Sequence, residues 1–356
     1  MPTDLMIQQK QSREICRRAL FRKRTGRKNK TICPKVLFRI KKVKIEQKEV
    51  TMLRSRRSFL RTAATAGTGV ALQGTSPLFA AETAGGKSEV YVGKGKASEI
   101  ITKIVDSMGG MGHYIKKGAR VVIKPNMSFS NPPDWGTTTS PEAVRTVAQL
   151  CLDAGASKVL VCDNVLREVE ACKSKTGIAD AVKDMKGVVV FVPKQESMYV
   201  EKKSEKAKQL TRIKVLKELG RADVFISLPA AKSHSAAGVS LGLKGMMGLV
   251  YNRSAYHREM DLHTAIAEQL YYMKPTLSII DATRALLDNG PGGPGKVVKL
   301  DTFVGGLDPV AVDSYAVTLA SWYGKQFEGT NVKYLKIASE LGFGNVASDS
   351  IKEIAV

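Results

Sequence analysis

Lysines, aspartates and a histidine stand directly after short apolar runs in this sequence, and such positions favour chemistry. Val122-Ile123 leads into Lys124-Pro125-Asn126, Val159 to Val161 toward Asp163-Asn164, Val224 to Leu228 through Pro229 into Lys232-Ser233-His234, and Leu277 to Ile280 into Asp281. In an open parallel sheet the loops and helix N-termini converge beyond the carboxyl ends of the strands, and ligands usually lie there. Asp and Asn also serve as ordinary turn and capping residues, so the argument rests on their joint occurrence. Lys124 precedes a proline, which keeps it extended, and an ammonium at the end of an apolar run calls for an anion.

Lys232 and His234 are two residues apart, so an extended segment points both the same way. Lys244 follows in Leu241-Gly242-Leu243-Lys244-Gly245-Met246-Met247-Gly248. Its glycines permit close backbone approach, either as a loop that presents N–H groups to a carboxylate or phosphate or as a helix packed tightly through them. The run from Asn289 through Gly290-Pro291 to Gly295 is likewise an anion cradle or a turn. The expected ligand contacts are therefore Lys124, Asn126, Lys232, Lys244 and Gly290 for a small anion. His234 and Asp281 are the candidate catalytic residues, His234 as a general acid–base group or metal ligand. His257 and His263, six apart, do not share a helical face and join a metal or acid–base site only through the fold.

Asp313 shares a helical stripe with Val310 and Val317, which places its carboxylate at the edge of the core, where Lys124 or Lys232 would be its partner. The cysteines show no metal or redox spacing. Cys151 and Cys162 read as small buried hydrophobes, and a Cys162–Cys172 disulfide is the alternative for that pair.

The elements that position these groups alternate between β-rich runs and helical patterns from Glu89 onward. That order predicts a single α/β domain with a mostly parallel sheet and helices on both faces. The strands expected are 89–92, 120–123, 158–161, 188–192, 224–228, 277–280 and 297–304. Ser140-Pro141 opens a helix whose Val144, Val147, Ala148 and Cys151 recur at core spacing before Gly155 ends it. Asp308-Pro309 opens another, with Val312, Tyr315, Ala316 and Leu319 as its buried stripe.

The chain has 356 residues and a formal net charge of +23, but residues 1–81 carry net +16, leaving +7 for the rest. A nucleic-acid surface needs its basic stripe on the folded body, so no nucleic-acid partner is expected. Residues 1–51 lack any periodicity and read as a basic disordered leader, with Met52 as the expected start of translation. Residues 52–81 read as a signal peptide: Arg56-Arg57 in a charged front, a modest apolar run from Ala63 to Leu72, and a small-residue cleavage site after Ala80 or Ala81. The paired arginines resemble a twin-arginine signal, which implies that export machinery as a partner, a periplasmic or otherwise exported product and no permanent membrane anchor. Residues 82–356 are then the α/β domain.

The order of Val122-Ile123-Lys124-Pro125-Asn126, Thr137 to Pro141, Asp223 to Pro229, Lys232-Ser233-His234, Gly242-Leu243-Lys244, Asp281, Gly290-Pro291 and Asp308 to Asp313 resembles the domain of unknown function 362 family, over about residues 88 to 345. The resemblance implies an α/β domain, in some members joined to a ferredoxin-like module with two 4Fe-4S clusters. This chain lacks the cysteines of that module, so it has no iron–sulfur ligands of its own, and its cofactor is unknown. It also carries Gly245 where the family often has Asn after the lysine. The expected function is an exported enzyme or cofactor-dependent protein acting on a small anion. The alternatives are a non-catalytic binding protein for an anion or metal, and a redox protein working with an iron–sulfur partner.

Overall fold

The computed structural model describes residues 86–356; the basic leader and the twin-arginine segment lie outside the described residues. The described residues build fourteen strands: β1 (Ser88–Lys94), β2 (Arg120–Pro125), β3 (Lys158–Cys162), β4 (Val188–Phe191), β5 (Tyr199–Lys203), β6 (Arg212–Leu216), β7 (Val224–Leu228), β8 (Ala230–His234), β9 (Gly238–Ser240), β10 (Leu277–Leu286), β11 (Val297–Gly306), β12 (Ser321–Trp322), β13 (Lys325–Gln326) and β14 (Ile351–Ala355). Ten of them form one sheet in the order β14-β1-β11-β10-β7-β2-β3-β4, with β8 paired to β10 and β9 to β8. The run β10-β7-β2-β3-β4 is parallel throughout. Only β11, against β1 and β10, and the β8–β9 pair are antiparallel within that sheet.

All seven expected strands are present, and the sheet is the mostly parallel one anticipated. The β5–β6 hairpin, β8, β9, the β12–β13 pair and β14 lie outside those expectations. Their sequences are rich in lysines and glutamates or too short to show a period, as in Tyr-Val-Glu-Lys-Lys of β5, where only Tyr199 is buried.

Alternate side chains of the central strands feed two cores. Val121 and Ile123 of β2, Val159 and Val161 of β3, and Val224 and Ile226 of β7 join one cluster, with the helices Ala97–Ser107 and Pro141–Asp153. Val122, Leu160, Cys162 and Phe225 join the other, with the helices Leu262–Glu268, Pro309–Val317 and Lys333–Glu340. Strand side chains alternate between faces, so a sheet apolar on both sides must be covered on both, and burial stabilises by about 25 cal/mol per Å² of apolar surface. The same alternation puts Lys124 on the face of Val122.

The helix Pro141–Asp153 opens as expected, with Ser140 Oγ accepting from Ala143 N at 3.4 Å and Pro141 in its first turn; Gly155 follows its end at φ +94°. Asp308 caps the helix Pro309–Val317 through bonds from Val310 N (2.9 Å) and Ala311 N (3.0 Å). That helix departs from expectation. It is buried on nearly all sides, Val310, Asp313 and Val317 included, whereas Tyr315 and Leu319 are only partly buried. A helix wedged between sheet and neighbouring helices has no solvent face, so a single stripe understated its burial. Cys162 and Cys172 are free and buried, not disulfide-bonded. Burial pushes the Cys162 thiol up to about 12, as expected of a core residue.

Candidate functional site

Strand order reverses between β2 and β7: the chain proceeds from β2 outward to β3 and β4, then returns to β7 on the other side. At such a switch point the loops diverge and leave a crevice beyond the carboxyl ends of the strands. A cleft of about 590 Å³ occupies this end of the molecule. Its walls come from Asn126 and Ser128 after β2, Asn164 after β3, Lys232 and His234 of β8, the segment 244–258, and Pro291. Four cations line it, Lys232, Lys244, Arg253 and Arg258, together with His234 and His257, and among the lining residues there is no Asp or Glu.

Backbone and threonine bonds hold the switch point together. Thr139 Oγ1 donates to Leu228 O of β7 (2.7 Å) and accepts from Asn126 N (2.8 Å). Asn126 Oδ1 accepts from Ala230 N and from Lys232 Nζ, each at 3.0 Å, and Lys232 Nζ also donates to Thr137 O at 2.6 Å. Asn126 thus spans the two strands and aims the Lys232 amine. Burial pushes the Lys232 amine down to about 7, and the like charges of Lys124 and Lys244 add to the effect. Lys244, at the wall, is also pushed down to about 7, by burial first and then by Arg253 and Lys124.

The structure moves Lys124 off the ligand surface. Its Nζ lies 3.1 Å from Asp163 Oδ1 and donates to Pro125 O, and both side chains are fully buried. Asp163 Oδ2 also accepts from Met127 N (3.0 Å) and Ser128 Oγ (2.8 Å). The pair lies directly under Gly248, where an added Cβ would sit 2.0 Å from Asp163 Oδ1 and 2.6 Å from Lys124 Cε. The anion that Lys124 called for is supplied from within, and the pair forms a floor beneath the cleft.

Asp313 meets neither lysine. Its carboxylate accepts from Gly242 N and Leu243 N, each at 2.8 Å, and so anchors the start of the glycine-rich segment. A Cβ on Gly242 would lie 2.8 Å from Asp313 Oδ1, which explains the glycine. The expected lysine pairing failed because backbone donors reach a buried carboxylate as well as an ammonium does. The segment itself is a short helical turn, Gly242–Gly245, continued by a tighter turn to Leu249. It therefore combines the two alternatives left open: a helix tightened by glycines that also lines the cleft. Gly245 is part of that lining, with Asn126 Nδ2 at 3.4 Å from an added Cβ.

His234 Nδ1 accepts from Ala236 N and Ala237 N, each at 3.2 Å. Burial, with Lys244 close by, pushes its pKa down to about 3. The neutral ring therefore carries its proton on Nε2, which makes it a hydrogen-bond donor at neutral pH. His257 stacks on it with ring centroids 5.9 Å apart. His263 packs instead against Tyr334 and is not part of the lining. Among the described residues no group of three His, Cys, Asp or Glu is placed to hold a metal.

Asp281 and Gly290 stand outside the lining. Asp281 Oδ2 accepts from Ser140 N (2.7 Å), and Oδ1 from Thr283 N (3.0 Å) and Thr283 Oγ1 (2.6 Å), so the carboxylate ties β10 to the start of a helix. Gly290 N donates to Ser233 Oγ at 3.1 Å, and its Cα packs so closely that a Cβ would lie 2.0 Å from Ser233 O. Of the candidates, Asn126, Lys232, His234 and Lys244 meet in one cleft, Lys124 lies beneath it, and Asp281 and Gly290 brace its surroundings. Arg253 and Arg258 join the lining without being among the sequence candidates. Their one signal is position, since Arg253 follows the glycine-rich segment by only a few residues.

Fold and site thus define an α/β protein with a cationic crevice at a topological switch point. The chain belongs to the family described as Domain of unknown function (DUF362), whose profile matches residues 121–318. A thylakoid-associated protein of Synechocystis sp. is 27% identical over 259 residues, covering 69% of this chain and 75% of that protein. A solved structure, the lactate racemase apoprotein from Thermoanaerobacterium thermosaccharolyticum, shares 15% identity at a TM-score of 0.41, over 63% of this chain and 55% of that one. The chain thus spans about half the length of that structure's chain.

Proposed function

We propose that the cleft binds a small anion and that the protein is an enzyme or cofactor-dependent protein acting on it. The observation that carries this reading is the lining: two lysines and two arginines converge with no carboxylate among them. Lys244, Arg253 and Arg258 make no side-chain hydrogen bond or ion pair among the described residues. Lys244 and Arg253 are half-buried and Arg258 is exposed; for the two half-buried ones, a cation left unpaired is costly unless an anion completes it. His234 would add a neutral N–H donor, and the backbone around Gly245 and Gly248 allows close approach. Thermal shift with sulfate, phosphate and small carboxylates tests the reading. Stabilisation by at least one of them, reduced in Lys232→Met and Arg253→Met, is expected; identical melting curves with and without every anion would reject it.

Binding without turnover is the second reading, and His234 favours it, because a ring with Nδ1 occupied and its pKa near 3 is a poor proton shuttle at neutral pH. On either reading we propose export by the twin-arginine route, supported by Arg56-Arg57 and the apolar run that follows. The thylakoid association of the Synechocystis relative accords with delivery to a membrane-bounded compartment. Among the described residues no helix is long and apolar enough to cross a membrane.

A further inference from the structure

The two lysines of the cleft keep different company. Lys232 Nζ donates to Asn126 Oδ1 and Thr137 O, which leaves one N–H of its ammonium for a ligand. Lys244 lines the same cleft without a side-chain acceptor or carboxylate partner among the described residues, and the charges that act on it are the cations Arg253 and Lys124. Its backbone is anchored, since the turn that carries it starts at the two N–H groups held by Asp313. A half-buried amine, flanked by cations and free of acceptors, is the arrangement that favours a neutral, nucleophilic nitrogen.

We propose that Lys244 forms an imine with a small anion bearing an aldehyde or ketone, whose carboxylate or phosphate is held by Arg253 and Lys232. This rests on the anion-binding reading and extends it to covalent chemistry. The Nζ lone pair forms a bond to the carbonyl carbon, and the π pair of that carbonyl moves to its oxygen. Two protons pass from nitrogen to oxygen, water leaves, and a carbon–nitrogen double bond remains; no oxidant or reductant is consumed. The Nε2–H of His234 supplies a donor in the same cleft for the oxygen as charge develops there. The position of the Lys244 equilibrium, pushed down to about 7, supports the presence of free amine at neutral pH.

The test is reductive trapping on the full chain. Pyruvate, or separately glycolaldehyde phosphate, is added with cyanoborohydride, followed by intact mass and peptide mapping. One reduced adduct per chain on the peptide containing Lys244 is expected, slowed about tenfold or more by saturating sulfate and absent from Lys244→Arg. Trapping by only one of the two compounds supports the imine and identifies the anionic group that the cleft prefers. Peptide mapping of the unsubstituted chain locates the adduct even if the variant fails to fold. No adduct from either compound, while both shift the melting temperature, would overturn the imine and leave the anion site standing. Adducts spread over surface lysines and indifferent to sulfate would overturn it too. Absence of any thermal shift with any anion would instead remove the reading on which the imine rests.

Discussion

Lys232 and Lys244 begin to lose their protons near pH 7 in the folded protein, so their charge and the affinity of the cleft change together. Sulfate is the cleanest probe because it stays a dianion across the range. Its dissociation constant should fall as pH drops from about 8.5 to 6, and Lys232→Met should flatten that dependence while weakening binding about tenfold or more, as loss of a charge-assisted hydrogen bond implies. Calorimetric titration at several pH values measures both. Asp313 poses the converse case, with its carboxyl raised from 3.8 to about 7 by burial. Between those values the folded state binds a proton that the unfolded chain has lost, so this group's contribution to stability declines as pH rises from about 4 to 7. Asp313→Asn should lack that decline, so by denaturation at several pH values the stability difference between wild type and variant should shrink as pH rises from about 4 to 7. Asp313→Ala strands two buried N–H groups and should cost about 3 kcal/mol by urea denaturation.

The elements around the cleft were legible in proportion to their periodicity. The helix Pro141–Asp153 announced itself by a cap, a proline and four apolar residues at helical spacing, and the buried strands by unbroken runs of valine and isoleucine. β8 was not legible as a strand, because Ala-Ala-Lys-Ser-His has no apolar alternation; yet the two-residue spacing of Lys232 and His234 sufficed to predict that both face one cleft. Asp281 illustrates the opposite failure. A carboxylate after an apolar run has the same sequence signature whether it meets a ligand or, as here within a β10 that continues to Leu286, ties the strand to the residue that caps a helix, and only the approach of Ser140 decides. The turn 242–249 is the element on which the site depends most. Gly248→Ala should force apart the Lys124–Asp163 pair, costing about 2 kcal/mol and abolishing the anion-dependent thermal shift.

At the scale of the whole molecule, two cores flank one sheet, and the cleft opens where the sheet changes direction. A chain beginning at Glu82 should therefore melt cooperatively and respond to anions as the full chain does, which differential scanning fluorimetry of both would check. Replacing Arg56-Arg57 by a lysine pair should retain the protein in the cytoplasm of a bacterial host, as fractionation would show. The segment that walls the cleft is tied down from several directions: Asp313 at its start, Asn164 N to Gly248 O at 2.9 Å in its middle, and Tyr251 N to Lys214 O at 3.0 Å near the arginines. A receptor held this firmly has little to rearrange when its guest arrives. Capture should then follow simple encounter kinetics, with an observed rate that climbs in proportion to ligand concentration and shows no plateau in stopped flow.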